Sequence, residues 1–187
     1  ASLMNINRRI RRMDSMMIES NIRKLSRMEL IYTCISKLVT YLLESETLKV
    51  PEDLRHYNDP NDFNKVIYHQ RGSDADERMQ TLLTDAETLL ALCKDELDTV
   101  TEYELLVRCL SEQTIVEDGK RRLRTKEDGK MNSSILQNPS DPEATFRSKA
   151  GKDHRGYVAN LEETVGENAS VITAYRYEQN IYSDSQF

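Results

Sequence analysis

Between residues 26 and 115 apolar residues recur at spacings of three and four, and this period constrains the fold more than any other feature. Ile31, Cys34, Ile35, Leu38, Val39 and Leu42 form the first stripe. Met79, Leu82, Leu83, Ala86, Leu89, Leu90, Cys93 and Leu97 form the second, and Tyr103, Leu106, Val107 and Leu110 the third. Such spacing places apolar side chains on one face of an α-helix. Each stripe follows a hydroxyl residue with an acid three positions later: Ser26 with Glu29, Ser73 with Asp76, Thr101 with Glu104. This is the capping-box pattern, in which each side chain satisfies a free backbone donor. The sequence therefore predicts an antiparallel helical array. Its first helix runs to about residue 47, before Pro51, and its stripes serve core packing rather than a cofactor.

The flanks change period. Residues 8–18 carry Ile10, Met13, Met16, Met17 and Ile18 around one acid, Asp14, with no Gly or Pro, and read as a strand. Residues 51–72 read as a loop with a turn cluster at 58–62 and room for a short helix through Phe63, Val66 and Ile67. Residues 117–140 are polar and basic, punctuated by Gly119, Gly129 and Pro139, and read as a flexible linker or a strip that orders on a partner. From Tyr157 the pattern alternates: Tyr157, Ala159 and Leu161 against Val158 and Asn160. Val165–Ala169 then offers a turn, and Val171, Thr173, Tyr175 and Tyr177 share one face of a second strand. A lone hairpin is marginal in water. Strand 8–18 is its expected partner, with the helical array inserted between them, an α+β arrangement. Four segments follow: 1–25, a first strand with a basic flank; 26–116, a helical insertion; 117–140, a basic linker; 141–187, a hairpin.

At 187 residues the chain is long enough for a real core. No apolar run is long enough to span a bilayer, and Ala1–Ile6 is too short a run for a signal peptide. Three cysteines, few and odd in number, fit a reducing compartment and point to the cytoplasm. The net charge of −6 conceals its distribution. Residues 1–27 hold seven cations against two anions, residues 44–118 seven against nineteen, and residues 119–130 six against two. An acidic middle between two basic segments leaves nucleic-acid binding open.

Asp14 is the residue that chemistry singles out. An acid inside an apolar strand either faces solvent or meets a cation. Magnesium, a hard ion held by one or two carboxylates plus phosphates, is the candidate, and a two-metal phosphoryl-transfer site needs about three such acids. His56, His69 and His154 are widely spaced and the cysteines form no CxxC pair, so zinc has no pattern to occupy. No Gly-rich phosphate loop and no GxSxG elbow occurs. The basic strips, Arg8, Arg9, Arg11 and Arg12 in one and Lys120, Arg121, Arg122 and Arg124 in the other, either contact phosphates or form a solvated surface.

Two stretches carry a resemblance. The first runs from Arg12-Met13-Asp14-Ser15-Met16-Met17-Ile18-Glu19-Ser20-Asn21 through Ile22-Arg23-Lys24-Leu25-Ser26-Arg27. The second runs from Asn138-Pro139-Ser140-Asp141-Pro142-Glu143-Ala144-Thr145-Phe146 through Lys149-Ala150-Gly151-Lys152-Asp153-His154-Arg155-Gly156-Tyr157 to Phe187. Together they resemble bacterial insertion-sequence transposases of the Asp-Asp-Glu class, in the branch with a long insert after the first catalytic strand. They cover well under half the chain.

The resemblance implies an incomplete RNase H-like core in which Asp14 is the first catalytic, metal-binding aspartate. It implies Mg²⁺ or Mn²⁺ as cofactor, DNA (element ends and target) as partner, and a homo-oligomer for the complete protein. It also implies a bacterial, nucleoid-associated location and no membrane. The DNA contacts it suggests fall to the two basic strips and to Lys149, Lys152 and Arg155. Asp141 matches a family motif but reads as a turn or cap residue before Pro142, and Asp184 as a turn or cap after the hairpin. The family's second aspartate and final glutamate are expected beyond Phe187, and its DNA-binding region before the first strand. The chain thus reads as a transposase fragment without strand-transfer activity of its own, with an exposed sheet edge. Two other readings compete: a helical protein-interaction module, and a non-catalytic nucleic-acid binder.

Overall fold

The computed structural model describes residues 6–69, 75–166 and 170–182. The chain is mixed α+β and divides into two compact units, one of residues 1–22 with 143–187 and one of residues 23–142.

The second unit is helical. Helix α1 (Arg27–Ser45) starts at Ser26, whose extended backbone and side chain complete the capping box with Glu29. Ser26 Oγ accepts from the Glu29 N–H at 3.2 Å, and Glu29 Oε2 accepts from the Ser26 N–H at 2.7 Å. A 3₁₀ turn (Glu52–Asn58) and a short helical turn α2 (Asp62–Asn64), which continues as a π turn (Lys65–His69), occupy the expected loop. Helices α3 (Ala75–Cys93) and α4 (Thr101–Gln113) follow.

The stripes are core, as their period requires. Ile31, Ile35, Leu38 and Leu42 of α1, Leu82, Leu83 and Leu89 of α3, and Leu106 and Leu110 of α4 are all essentially inaccessible. They form one cluster with Leu54, Tyr57 and Leu136. Cys34, Cys93 and Cys109 are buried free thiols, and burial pushes Cys93 up to about 11.

Two of the three expected capping boxes need comment. Ser73 lies outside the described residues. Thr101 is already helical: Val100, with extended backbone, is the N-cap, no side chain caps this end, and the Glu104 N–H bonds to Val100 O. The Thr101–Glu104 box is therefore not formed.

The expected basic linker is also corrected. Strands β2 (Thr114–Glu117) and β3 (Lys120–Leu123) form a two-residue hairpin in which Glu117 pairs with Lys120. Its turn residues Asp118 and Gly119 have φ of 50° and 73°, the doubly left-handed turn that matches strand twist. The rest of the segment docks on α4. The Leu136 N–H donates to Glu112 Oε2 at 2.6 Å, and Arg108 donates to Pro142 O and Ser134 O at 2.7 and 3.1 Å. Asn138 Nδ2 donates to Arg23 O at 3.0 Å. These bonds explain why Leu136 is a core residue within a polar stretch.

The first unit is a four-stranded antiparallel sheet of β1 (Ile6–Glu19), β4 (Thr145–Lys149), β5 (Lys152–Gly166) and β6 (Ser170–Gln179). The long strand β5 organises it. Met13, Asp14 and Ser15 pair with Glu162, Leu161 and Asn160, and on β6 Tyr175 pairs with Leu161. This is the expected joining of the first strand to the hairpin across a helical insert. Residues 167–169 of the expected turn lie outside the described residues. Strand β4 is an addition: it meets β5 through Ala150 and Gly151, with Lys149 opposite Lys152. Few apolar side chains of this unit are buried, Val158 of β5 and Ala144 just before β4 among them, while Met13, Met16, Ile172, Tyr175 and Tyr177 are all more than half exposed.

Candidate functional site

In the sheet, Met13, Asp14, Ser15, Lys149 and Asn160 line a cavity of about 260 Å³. Asp14 and Ser15 come from the middle of β1, Asn160 from the strand paired with it, and Lys149 from the end of β4. Asp14 is exposed, which resolves the cost of an acid in an apolar strand, and its Oδ1 accepts from the Ser15 N–H at 2.9 Å. Lys149 Nζ donates to Ser15 Oγ at 3.1 Å. Asn160 is 1% exposed, and neither its amide nitrogen nor its amide oxygen has a hydrogen-bond partner.

The register divides these groups: Ser15 pairs with Asn160, and Lys149 bonds Ser15 Oγ, so these three share one face of the sheet, whereas Asp14 pairs with Leu161 and turns its carboxylate to the other face. The cavity is not a two-metal site: Asp14 is the one carboxylate lining it. No group of three or more His, Cys, Asp or Glu side chains able to hold a metal occurs among the described residues.

The remaining site residues expected from sequence fall into three groups. Arg11 and Arg12 are exposed and pair across strands with Glu162 and Glu163 at 3.3 and 3.7 Å; the side chains of Arg8 and Arg9 lie outside the described residues. Lys152 sits 3.5 Å from Glu19, which also accepts from His154, and Arg155 lies over the Phe146 ring at 5.1 Å. The His154 bond, with Lys152 nearby, holds the Glu19 carboxyl below its usual range. The strip at 120–124 does not form a phosphate-facing row. Arg121 pairs with Glu87 at 2.8 Å and also bonds Thr114. Arg122 grips Asp128 with two bonds, at 2.8 and 3.0 Å, and reaches Glu117 at 2.7 Å. The Arg122 bonds, then those of Thr125, hold the Asp128 carboxyl far below its ordinary value. Arg124 is 9% exposed and donates to Ser111 O and Thr114 O, carbonyls at the end of α4. It is a structural cation, and Lys120 alone of the four is exposed with no ion pair among the described residues. Asp141 sits in a bend where its N–H bonds to Asn138 O, in keeping with a turn role, and Asp184 lies outside the described residues.

An expected outcome follows for any DNA affinity of this chain. Each phosphate contact removed should lower the slope of log affinity against log salt by about 0.9. Arg121→Ala and Arg122→Ala should leave that slope unchanged in a fluorescence-anisotropy titration, because their guanidinium groups are already committed. A drop of a full contact for either would show that the strip reaches DNA after all.

Sequence reasoning passed over Ser15 and Asn160. The signal for Asn160 was its place on the same face of β5 as Val158, which is fully buried. It also passed over a polar cluster in the helical unit. There the Tyr32 hydroxyl donates to Asp62 Oδ2 at 2.8 Å, His56 Nδ1 meets the same oxygen at 2.8 Å, and the Tyr57 hydroxyl donates to Asp85 at 2.5 Å. Burial, then the neighbouring carboxylate, pushes both phenols far above their ordinary pKa, so they remain donors. These bonds tie residues 52–64 to α1 and α3.

A scan against protein-family models, a search of curated proteins and a search of solved structures each return no match. No helix among the described residues is long and apolar enough to cross a membrane.

Proposed function

We propose that this chain carries part of the catalytic core of a DNA transposase of the Asp-Asp-Glu class, with Asp14 as a divalent-metal ligand for phosphodiester chemistry. The observation that supports it best is the position of Asp14. It is exposed at the centre of β1, beside a cavity, on a strand paired to a hairpin that follows the 120-residue helical unit along the chain. That is the arrangement the resemblance leads one to expect of the first acid. An RNase H-like core is the finer fold reading that goes with it.

In this reading Asp14 holds Mg²⁺ or Mn²⁺, which when bound supplies Lewis-acid activation of water or a 3′-hydroxyl and neutralises charge on the phosphate. Asp14 orients its carboxylate through the Ser15 N–H, which leaves its second oxygen for the ion. The other acids of a two-metal site are not among the residues lining this cavity, so cleavage requires carboxylates beyond those gathered here.

Paramagnetic broadening by Mn²⁺ tests the proposal. Amide signals of residues 13–15 and 160–161 should broaden selectively, and Asp14→Ala should abolish the effect. The chain by itself should not nick supercoiled DNA. Broadening that is centred elsewhere, or that survives Asp14→Ala, would remove the metal assignment. Salt-dependent DNA binding indifferent to metal would then favour the non-catalytic nucleic-acid reading.

A further inference from the structure

We infer that Asp118-Gly119, at the tip of the β2–β3 hairpin, is a site of spontaneous isoaspartate formation, and that the fold protects the same dipeptide at Asp128-Gly129. The inference is independent of the transposase reading.

The tetrapeptide Glu-Asp-Gly-Lys occurs twice, at residues 117–120 and 127–130. The sequence around the reacting groups is the same in both copies, so a difference in reactivity comes from structure. The reaction needs the aspartate carboxyl and the nitrogen of the next residue, which glycine leaves unhindered. That nitrogen attacks the aspartate Cγ. Its proton and the carboxyl hydroxyl leave as water, and a succinimide ring closes. Water then reopens the ring. Breaking the new N–Cγ bond restores aspartate. Breaking the bond from nitrogen to the main-chain carbonyl carbon routes the backbone through Cβ and Cγ, which is isoaspartate. One water leaves and one enters, and no electrons change hands.

The first copy leaves both reacting groups free. Asp118 is exposed, and its carboxylate has no hydrogen bond or ion pair among the described residues. The Gly119 N–H has no backbone partner among them. Ring closure turns Asp118 out of its left-handed conformation, and at the tip of a short ladder that opening is local. The second copy engages both groups. Arg122 donates to Asp128 Oδ1 and Oδ2 at 3.0 and 2.8 Å, and the Thr125 N–H and hydroxyl donate to Oδ2 at 2.7 and 2.9 Å. These bonds keep Asp128 ionised, and a carboxylate is a poorer electrophile than a carboxylic acid. The Gly129 N–H donates to Lys126 O at 3.2 Å. Crowding does not separate the copies, because a Cβ on either glycine would meet nothing within 4 Å. The product carries one more main-chain methylene, which a two-residue turn cannot hold while Glu117 stays opposite Lys120.

The test incubates the full chain for weeks at physiological temperature, native and in urea. Trypsin then places the copies in separate peptides, Cys109–Lys120 and Glu127–Lys130. Electron-transfer fragmentation measures isoaspartate in each. In the native chain it should form at least about tenfold faster in the first peptide, the factor for breaking one hydrogen bond to a charged group before the ring can close. In urea the two rates should converge. Equal rates in the native chain, or a faster second copy, would overturn the inference. A bias of the same size in urea would overturn it too, since the fold would not be its cause. Asp118→Glu, whose ring is larger and closes far more slowly, should abolish the product in the first peptide and leave the second as it was. Product persisting in the first peptide of that variant would show that Asp118 is not the reacting residue.

Discussion

Gly156→Ala is expected to disrupt the sheet more than any other single-methyl change, lowering its stability by at least about 3 kcal/mol. Gly156 has a φ of 142°, which residues with a side chain rarely adopt. A Cβ there would sit 2.3 Å from Ile18 O and 2.6 Å from Ser20 N, and both are backbone atoms that cannot swing aside. The position is also a junction. Gly156 pairs with Glu19 of β1 and with Thr145 of β4, and its carbonyl accepts from the Asn180 N–H at 3.4 Å. Relieving the overlap means moving the end of β1 off β5, which loses the Ser20 N–H bond to Arg155 O. Amide exchange should accelerate along β1, and its signals should shift or vanish, while those of α1, α3 and α4 stay in place. Wild-type shifts throughout β1 would show that this junction has more freedom than its geometry implies.

What could be read from the sequence was whatever rests on local pattern. Ser26 with Glu29 sets the start of α1 because both partners of the capping box lie within one turn. Ile31, Ile35, Leu38 and Leu42 could be assigned to a core because a helix has few other uses for such a stripe. The failures share a different cause. Thr101 carries the cap pattern, yet the chain enters α4 from Val100, so the tertiary path fixed the boundary. Asp118-Gly119 is itself a strong hairpin signal, but the surrounding cations drew the reading toward a linker. Those cations were misjudged because what neutralises Arg121 is Glu87, thirty-four residues earlier, and what buries Arg124 is the end of a helix. The candidate site divides in the same way. Asp14 stands out as an acid in an apolar strand, whereas the unmet hydrogen bonds of Asn160 exist only once β1, β4 and β5 are assembled.

Leu38→Ala should have the largest effect on the helical unit, about 2–5 kcal/mol. Leu38 is fully inaccessible and sits midway along α1, the helix that packs against α3, α4 and the 3₁₀ turn. Removing its isopropyl group loses transfer energy and leaves a cavity that a helix flanked on several sides cannot easily collapse. Against a typical domain stability of about 5–15 kcal/mol this is a large fraction, and the helical melting midpoint should fall by roughly 10 °C. Leu38→Met, which keeps the volume, should cost less than about 1.5 kcal/mol, and that contrast separates a cavity effect from a general intolerance of change. The pair also complements Gly156→Ala. Circular dichroism at the helical band should report Leu38→Ala strongly and Gly156→Ala weakly, while signals from β1 should show the reverse. A loss below about 1 kcal/mol for Leu38→Ala, in the range of ordinary surface changes, would mean that α1 is not the centre of this core.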